Sequence, residues 1–201
     1  PRWAEVAIAQ LRLIGFNTFG NWSDWQIASK AGFPYVRQLE PHFPRTPLIF
    51  RDMPDVFHPS FPDDCSAYAA PLSETANDPA LVGYFLMNEP QWGFVDEPLM
   101  QGILLSCPDC ETRRAFARFL RQRHATDAQL AAAWGIPGLT FSAVAGGPFR
   151  HQPGPGARAD LEEFSTVVAA RFFDGLTAAC RRVDPNHLNL GGRYYTAPPL
   201  W

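Results

Sequence analysis

The chain has 201 residues, 46% of them hydrophobic, enough for one real core. Its formal net charge is −3, Lys30 is its one lysine and no basic stripe runs along it, which argues against nucleic acid as a partner. No window reaches the unbroken apolar length of a membrane span, so no membrane partner is expected, and no stretch reads as a basic-then-apolar signal segment.

Helical spacing runs over residues 3–14, with Trp3, Val6, Ala7, Ala9 or Gln10, and Leu13 or Ile14 as the expected apolar face and Gly15 as the C-cap. Residues 16–20 form a short expected strand, followed by Asn21-Trp22-Ser23-Asp24. Ser23 or Asp24 caps a helix over 25–31 that Gly32 closes. Residues 33–39 read as the next strand, with Pro34 at its start, where a missing N–H is tolerated.

Residues 40–61 are a long Pro- and Phe-rich loop carrying Arg51, Asp52, Asp55 and His58, and a loop of that length is usually functional. A helix follows over 62–76, with Asp63 and Asp64 in its first turn, as the helix dipole favours. An apolar strand then opens at Leu81, and 90–110 form a second long loop. Residues 111–124 are strongly helical and arginine-rich, with Ala115, Phe116, Phe119 and Leu120 facing inward.

Thr126 or Asp127 starts a shorter helix that ends near Trp134-Gly135, and 135–158 read as a Gly/Pro loop. Residues 160–183 form the best helix, with Leu161, Phe164, Val167 or Val168, Phe172, Leu176 and Val183 on one stripe. A last strand spans 187–195. Alternation of this kind predicts an α/β fold with about four parallel strands and right-handed crossovers.

The chemistry converges on Leu81-Val-Gly-Tyr-Phe-Leu-Met-Asn-Glu-Pro90 and the following Gln91-Trp92-Gly93. A strand apolar on both faces belongs inside a helix-covered parallel sheet. A carboxylate at its C-terminal end, here Glu89, lies where such sheets put their active sites. Trp92 offers a flat apolar face able to stack on a sugar ring. Other strand ends add Asn21 and Trp22, Arg37 and Gln38, then Arg193, Tyr194 and Tyr195. Each also has a plain structural role open to it: Asn21 as a turn residue, Trp22 as core, Arg37 as an ion-pair partner. Tyr194 and Tyr195 point to opposite faces of one strand, so at most one of them lines a cleft.

The form Gly83-Tyr-Phe-x-x-Asn-Glu89 resembles the fourth strand of clan A glycoside hydrolases, in wording nearest to the β-agarase and family 42 β-galactosidase branch. Residues 15–24, 54–61, 112–135 and 184–193 resemble the same branch in the same order. The resemblance implies a partial (β/α)8 barrel in which residues 1–201 are part of one catalytic domain with a helical insertion over about 95–158. It implies Glu89 as acid/base and Asn88 as the contact to the sugar hydroxyl beside the reacting carbon. Where that branch often has Asp or Ser before Asn-Glu, this chain has Met87. The implied activity is hydrolysis of β-linked, galactose-containing polysaccharide or oligosaccharide with retention and without a cofactor or metal.

Retention needs a second carboxylate about 5–5.5 Å from the first. The clan supplies it from the seventh strand, and no glutamate follows Glu163 here. With about four strands against the eight of a closed barrel, the chain reads as a piece of a larger enzyme. Two other readings stand beside this one. The first is a non-catalytic carbohydrate-binding relic. The second is a different enzyme on the same scaffold, with Asp52, Asp55, His58 and Glu89 as metal ligands to test. Cys107-Pro-Asp-Cys110 lacks the context of a redox site and the four ligands of structural zinc, which leaves a local disulfide or two ordinary thiols.

Overall fold

The computed structural model describes residues 2–194. In chain order the elements are α1 (Arg2–Leu13), α2 (Trp25–Lys30), β1 (Tyr35–Gln38), β2 (Leu48–Phe50), β3 (Met53–Pro54), α3 (Phe61–Ala69), β4 (Leu81–Phe85), β5 (Met87–Asn88), α4 (Leu99–Ser106), α5 (Glu111–Arg123), α6 (Asp127–Trp134), α7 (Phe141–Ala145), α8 (Arg158–Val183), β6 (Leu188–Asn189) and β7 (Gly192–Arg193). The described residues divide into two compact units, one of 2–42, 65–89 and 176–194, the other of 43–64 and 90–175.

The first unit holds the parallel sheet. Strand β4 lies between β1 and β6, and β5 pairs with β7, all parallel. Gly83 faces Leu188 and Asn88 faces Arg193 at the same offset, so β4–β5 and β6–β7 are two stretches of one ladder. Leu86 N–H bridges the gap to the Gly191 carbonyl, and the Leu86 carbonyl accepts from Tyr68 Oη at 2.6 Å. A Cβ on Gly83 would stand 2.4 Å from the Leu188 carbonyl oxygen, so the close approach of β4 and β6 requires glycine.

The strand expected over 16–20 is reduced to one parallel bridge, Phe19 to Tyr35, at the other side of β1. Helix α2 is capped by Asp24, whose carboxylate accepts from Ile27 N–H, as expected. Helix α1 turns a different face inward from the one its spacing suggests. Ala4 and Ile8 are buried, whereas Trp3, Val6, Leu13 and Ile14 are exposed. The cluster that receives it is Ala28, Phe33, Tyr35 and Leu81, and Ile8 meets that cluster.

In the second unit β2, β3, α4 and α7 lie within stretches that sequence periodicity leaves as loops. A hairpin of β2 and β3 turns at Arg51-Asp52, with Arg51 in the left-handed region at φ 53°. No glycine marks that turn. Helix α4 buries Leu99, Met100, Ile103 and Leu104, so it lacks the polar face that makes a helix visible. Helix α7 is one turn long and capped by Thr140.

Buried polar groups hold this unit together. Asp55 accepts from Glu111 N–H, Thr112 N–H and Thr112 Oγ1, and so caps α5, whose own N-cap Cys110 offers no side-chain bond. Asp160 accepts from Trp134 Nε1 and pairs with Arg123 and His124. The buried Arg113 guanidinium donates to the carbonyls of Cys107, Ala143, Val144 and Gly147.

Two outcomes follow. Removing the Asp55 carboxylate (Asp55→Ala) orphans the first turn of α5 and costs about 2 kcal/mol, read as a lower urea midpoint, with Asp55→Asn losing less. Asp78 is the second case. Burial opposes its ionisation, but hydrogen bonds from Ser29, the Ala80 N–H and Tyr35 outweigh that and hold its carboxyl below the ordinary 3.8. A carboxyl depressed in the folded state stabilises at pH above its unfolded value, and that contribution is lost as pH falls through the folded value. Below about pH 3.8, the wild-type urea midpoint falls more steeply than that of Asp78→Asn.

Candidate active site

Because the strands are parallel, their C-terminal ends share one edge of the sheet. That edge collects Asn21 and Trp22 after the Phe19 bridge, Gln38 and Glu40 at β1, Asn88 and Glu89 at β5, and Arg193 on β7. All belong to the first unit.

The last rung of the ladder is Glu89 N–H to the Arg193 carbonyl, at 2.8 Å. Glu89 then leaves the strand with φ 50°, a left-handed conformation costly for a residue with a Cβ. Its side chain is exposed, and among the described residues its carboxylate has no partner. The burial that an acid/base role calls for is not supplied by these residues.

Asn88 is half-buried, and its Oδ1 accepts from Arg193 Nη1 at 2.6 Å. The same guanidinium lies over the Trp22 ring, 4.3 Å from its centroid. Trp22 is 71% exposed and also left-handed, at φ 63°. It is therefore a surface ring and not core.

Asn21 and Gln38 form a second amide pair. Asn21 Nδ2 donates to Gln38 Oε1 at 2.7 Å, and Gln38 Nε2 donates to Glu40. Asn21 Oδ1 is buried without a hydrogen bond among the described residues. Glu40 escaped the sequence reading. The signal for it was the two-residue spacing from Gln38, which puts both side chains on one face of an extended segment.

Two expected contacts are buried by their own packing. Trp92 is 2% exposed, with its ring against Phe172 and Phe173 and its N–H bound to Asp52, so it presents no stacking face. Arg37 is 7% exposed. It donates to the Pro71 carbonyl and Thr75, pairs with Glu74 and covers the Trp25 ring, so it is an ion-pair and packing residue and not a sugar contact. Tyr195 lies outside the described residues.

Among the described residues no group of three or more His, Cys, Asp or Glu side chains could hold a metal ion, and no helix is long and apolar enough to cross a membrane. Asp52 is spent on the Gln91 and Trp92 N–H groups, Asp55 on α5, and His58 Nδ1 on the Ser60 N–H. Cys107 and Cys110 are free thiols. Burial pushes the Cys110 thiol up to about 12, away from thiolate reactivity.

No protein-family profile matches the chain. Beta-agarase A of Vibrio sp. (strain JT0107) is 26% identical over 215 residues, covering 96% of this chain and 21% of the relative. The chain thus spans about a fifth of the length of the curated relatives it matches. The solved structure of an exo-β-agarase superposes with a TM-score of 0.84 at 27% identity, over 96% of this chain and 28% of that one. A cold-adapted β-galactosidase from Rahnella sp. R3 shares the fold more distantly, with a TM-score of 0.55 at 15% identity over 90% of this chain and 31% of that one. In sequence and in structure the chain is a homologue of β-agarases, with β-galactosidases as distant structural neighbours.

Proposed function

We propose that the chain is part of a retaining glycoside hydrolase that cleaves β-linked, galactose-containing polysaccharide. Glu89 protonates the leaving oxygen and then deprotonates water, and Asn88 binds the hydroxyl next to the reacting carbon. The sheet is the first part of a (β/α)8 barrel within one catalytic domain, with residues of about 95–158 as a helical insertion. The nucleophilic carboxylate comes from outside this chain. One observation carries the reading. Asn88 and Glu89 lie just past β4, the central strand of the parallel sheet, where β5 pairs with β7, and the Glu89 carboxylate has no partner among the described residues. A carboxylate so placed is available to a substrate at the edge where α/β folds conduct chemistry.

The exposure of Glu89 favours a second reading, a carbohydrate-binding relic without turnover. Binding of agarose oligosaccharides by the intact protein with no hydrolysis would select it.

In the intact protein, Glu89→Gln lowers kcat on an agarose oligosaccharide by about 10²–10⁴-fold, the usual contribution of a general acid–base group, while calorimetric binding persists. Added azide replaces water as the acceptor in the deglycosylation step and yields a glycosyl azide of retained configuration. Unchanged turnover in Glu89→Gln would remove Glu89 from the chemistry.

A further inference from the structure

Arg193 touches three parts of the candidate site at once. Its carbonyl receives the Glu89 N–H, its Nη1 donates to Asn88 Oδ1, and its guanidinium plane covers one face of Trp22. A guanidinium carries donors only. The Asn88 amide therefore meets it with oxygen, and its Nδ2 is left facing away from Arg193 as a donor with no partner among the described residues. Held this way, Asn88 presents its Nδ2 to a sugar oxygen, while one lone pair of Oδ1 is taken by Arg193.

Trp22 is fixed by the same group. Its backbone is left-handed at φ 63°, the residue is 71% exposed, and the guanidinium stands 4.3 Å from its ring centroid. A cation over an indole face is attracted by the ring's quadrupole. With Arg193 on one face, the rest of the ring stays open to a ligand.

We infer that Arg193 is a positioning residue and not a sugar contact. It sets the Asn88 amide with its donor outward, and it holds Trp22 as the stacking platform for a pyranose ring. The inference rests on the proposed carbohydrate reading of this edge. It adds a coupling: the hydroxyl contact and the stacking contact depend on one guanidinium.

The test is a mutant cycle in the intact protein, with an agarose oligosaccharide as the probe, read by calorimetric affinity and by kcat and KM. Arg193→Ala lowers kcat/KM at least tenfold. In the Asn88→Ala/Trp22→Ala background the same change costs less than threefold, because both groups it serves are gone. Added guanidinium ion restores part of the loss in Arg193→Ala. Arg193→Lys keeps a cationic donor group but has no guanidinium plane to lie flat on the ring, and its kcat/KM falls between wild type and Arg193→Ala. Arg193→Met preserves the stem and controls for misfolding. An undiminished effect in the double background would make Arg193 a direct sugar contact and overturn the inference while leaving the Glu89 reading intact. Unchanged kinetics with a lower unfolding midpoint would reduce Arg193 to a structural residue and overturn it equally. A wild type that neither binds nor cleaves the oligosaccharide would overturn both readings.

Discussion

The parallel ladder between the Leu81 and Leu188 segments is the constraint on which the candidate site depends. Its offset holds from Gly83–Leu188 through Asn88–Arg193 even where regular pairing lapses around Leu86. Gly83 permits the close approach at one end. At the other end the Glu89 N–H closes the last rung on the Arg193 carbonyl. A slip of one residue would turn every side chain to the opposite face and take Asn88 away from the guanidinium. The left-handed turn at Glu89 costs on the order of 1–3 kcal/mol and persists because that rung defines the chain just before it. Pro90, with no N–H to offer, ends the ladder there.

The second unit shows the same logic with other groups. Asp55, Asp160 and Arg113 are buried polar residues, and each bonds to several partners on different segments. Satisfied in this way they specify one arrangement of short helices, and half-satisfied they would cost more than an apolar core. Asp55 illustrates why a loop can look functional. An acidic residue in a long Pro-rich stretch invites a ligand role, yet its oxygens are consumed by the first turn of α5.

Much of the first unit was legible because its signals are local. Asp24 capping α2, the glycines after α1 and α2, and the apolar run at Leu81 each act within a few residues, as does Thr126 capping α6 in the second unit. What escaped depends on distant partners or on weak contrast. Helix α4 is apolar nearly all round, α7 is a single turn, and the β2–β3 turn uses Arg51 where glycine would have announced it. The facing of α1 runs against its spacing because four large apolar residues, Trp3, Val6, Leu13 and Ile14, outnumber Ala4 and Ile8, the residues that are buried.

The site residues divide along the same line. Trp92 was attractive because it stands three places from Glu89, yet nearness along the chain says nothing about direction once a strand has ended. The Asp52 carboxylate and the two rings of Phe172 and Phe173 draw it into the second unit. Trp22 and Arg193 are far from Glu89 in sequence, and sheet register brings them to the shared edge. In a parallel sheet each strand end contributes one or two side chains, so a working site has to be gathered from successive strands. The residue bonded to Asn88 Oδ1 is accordingly not a neighbour along the chain but Arg193, its partner across the ladder.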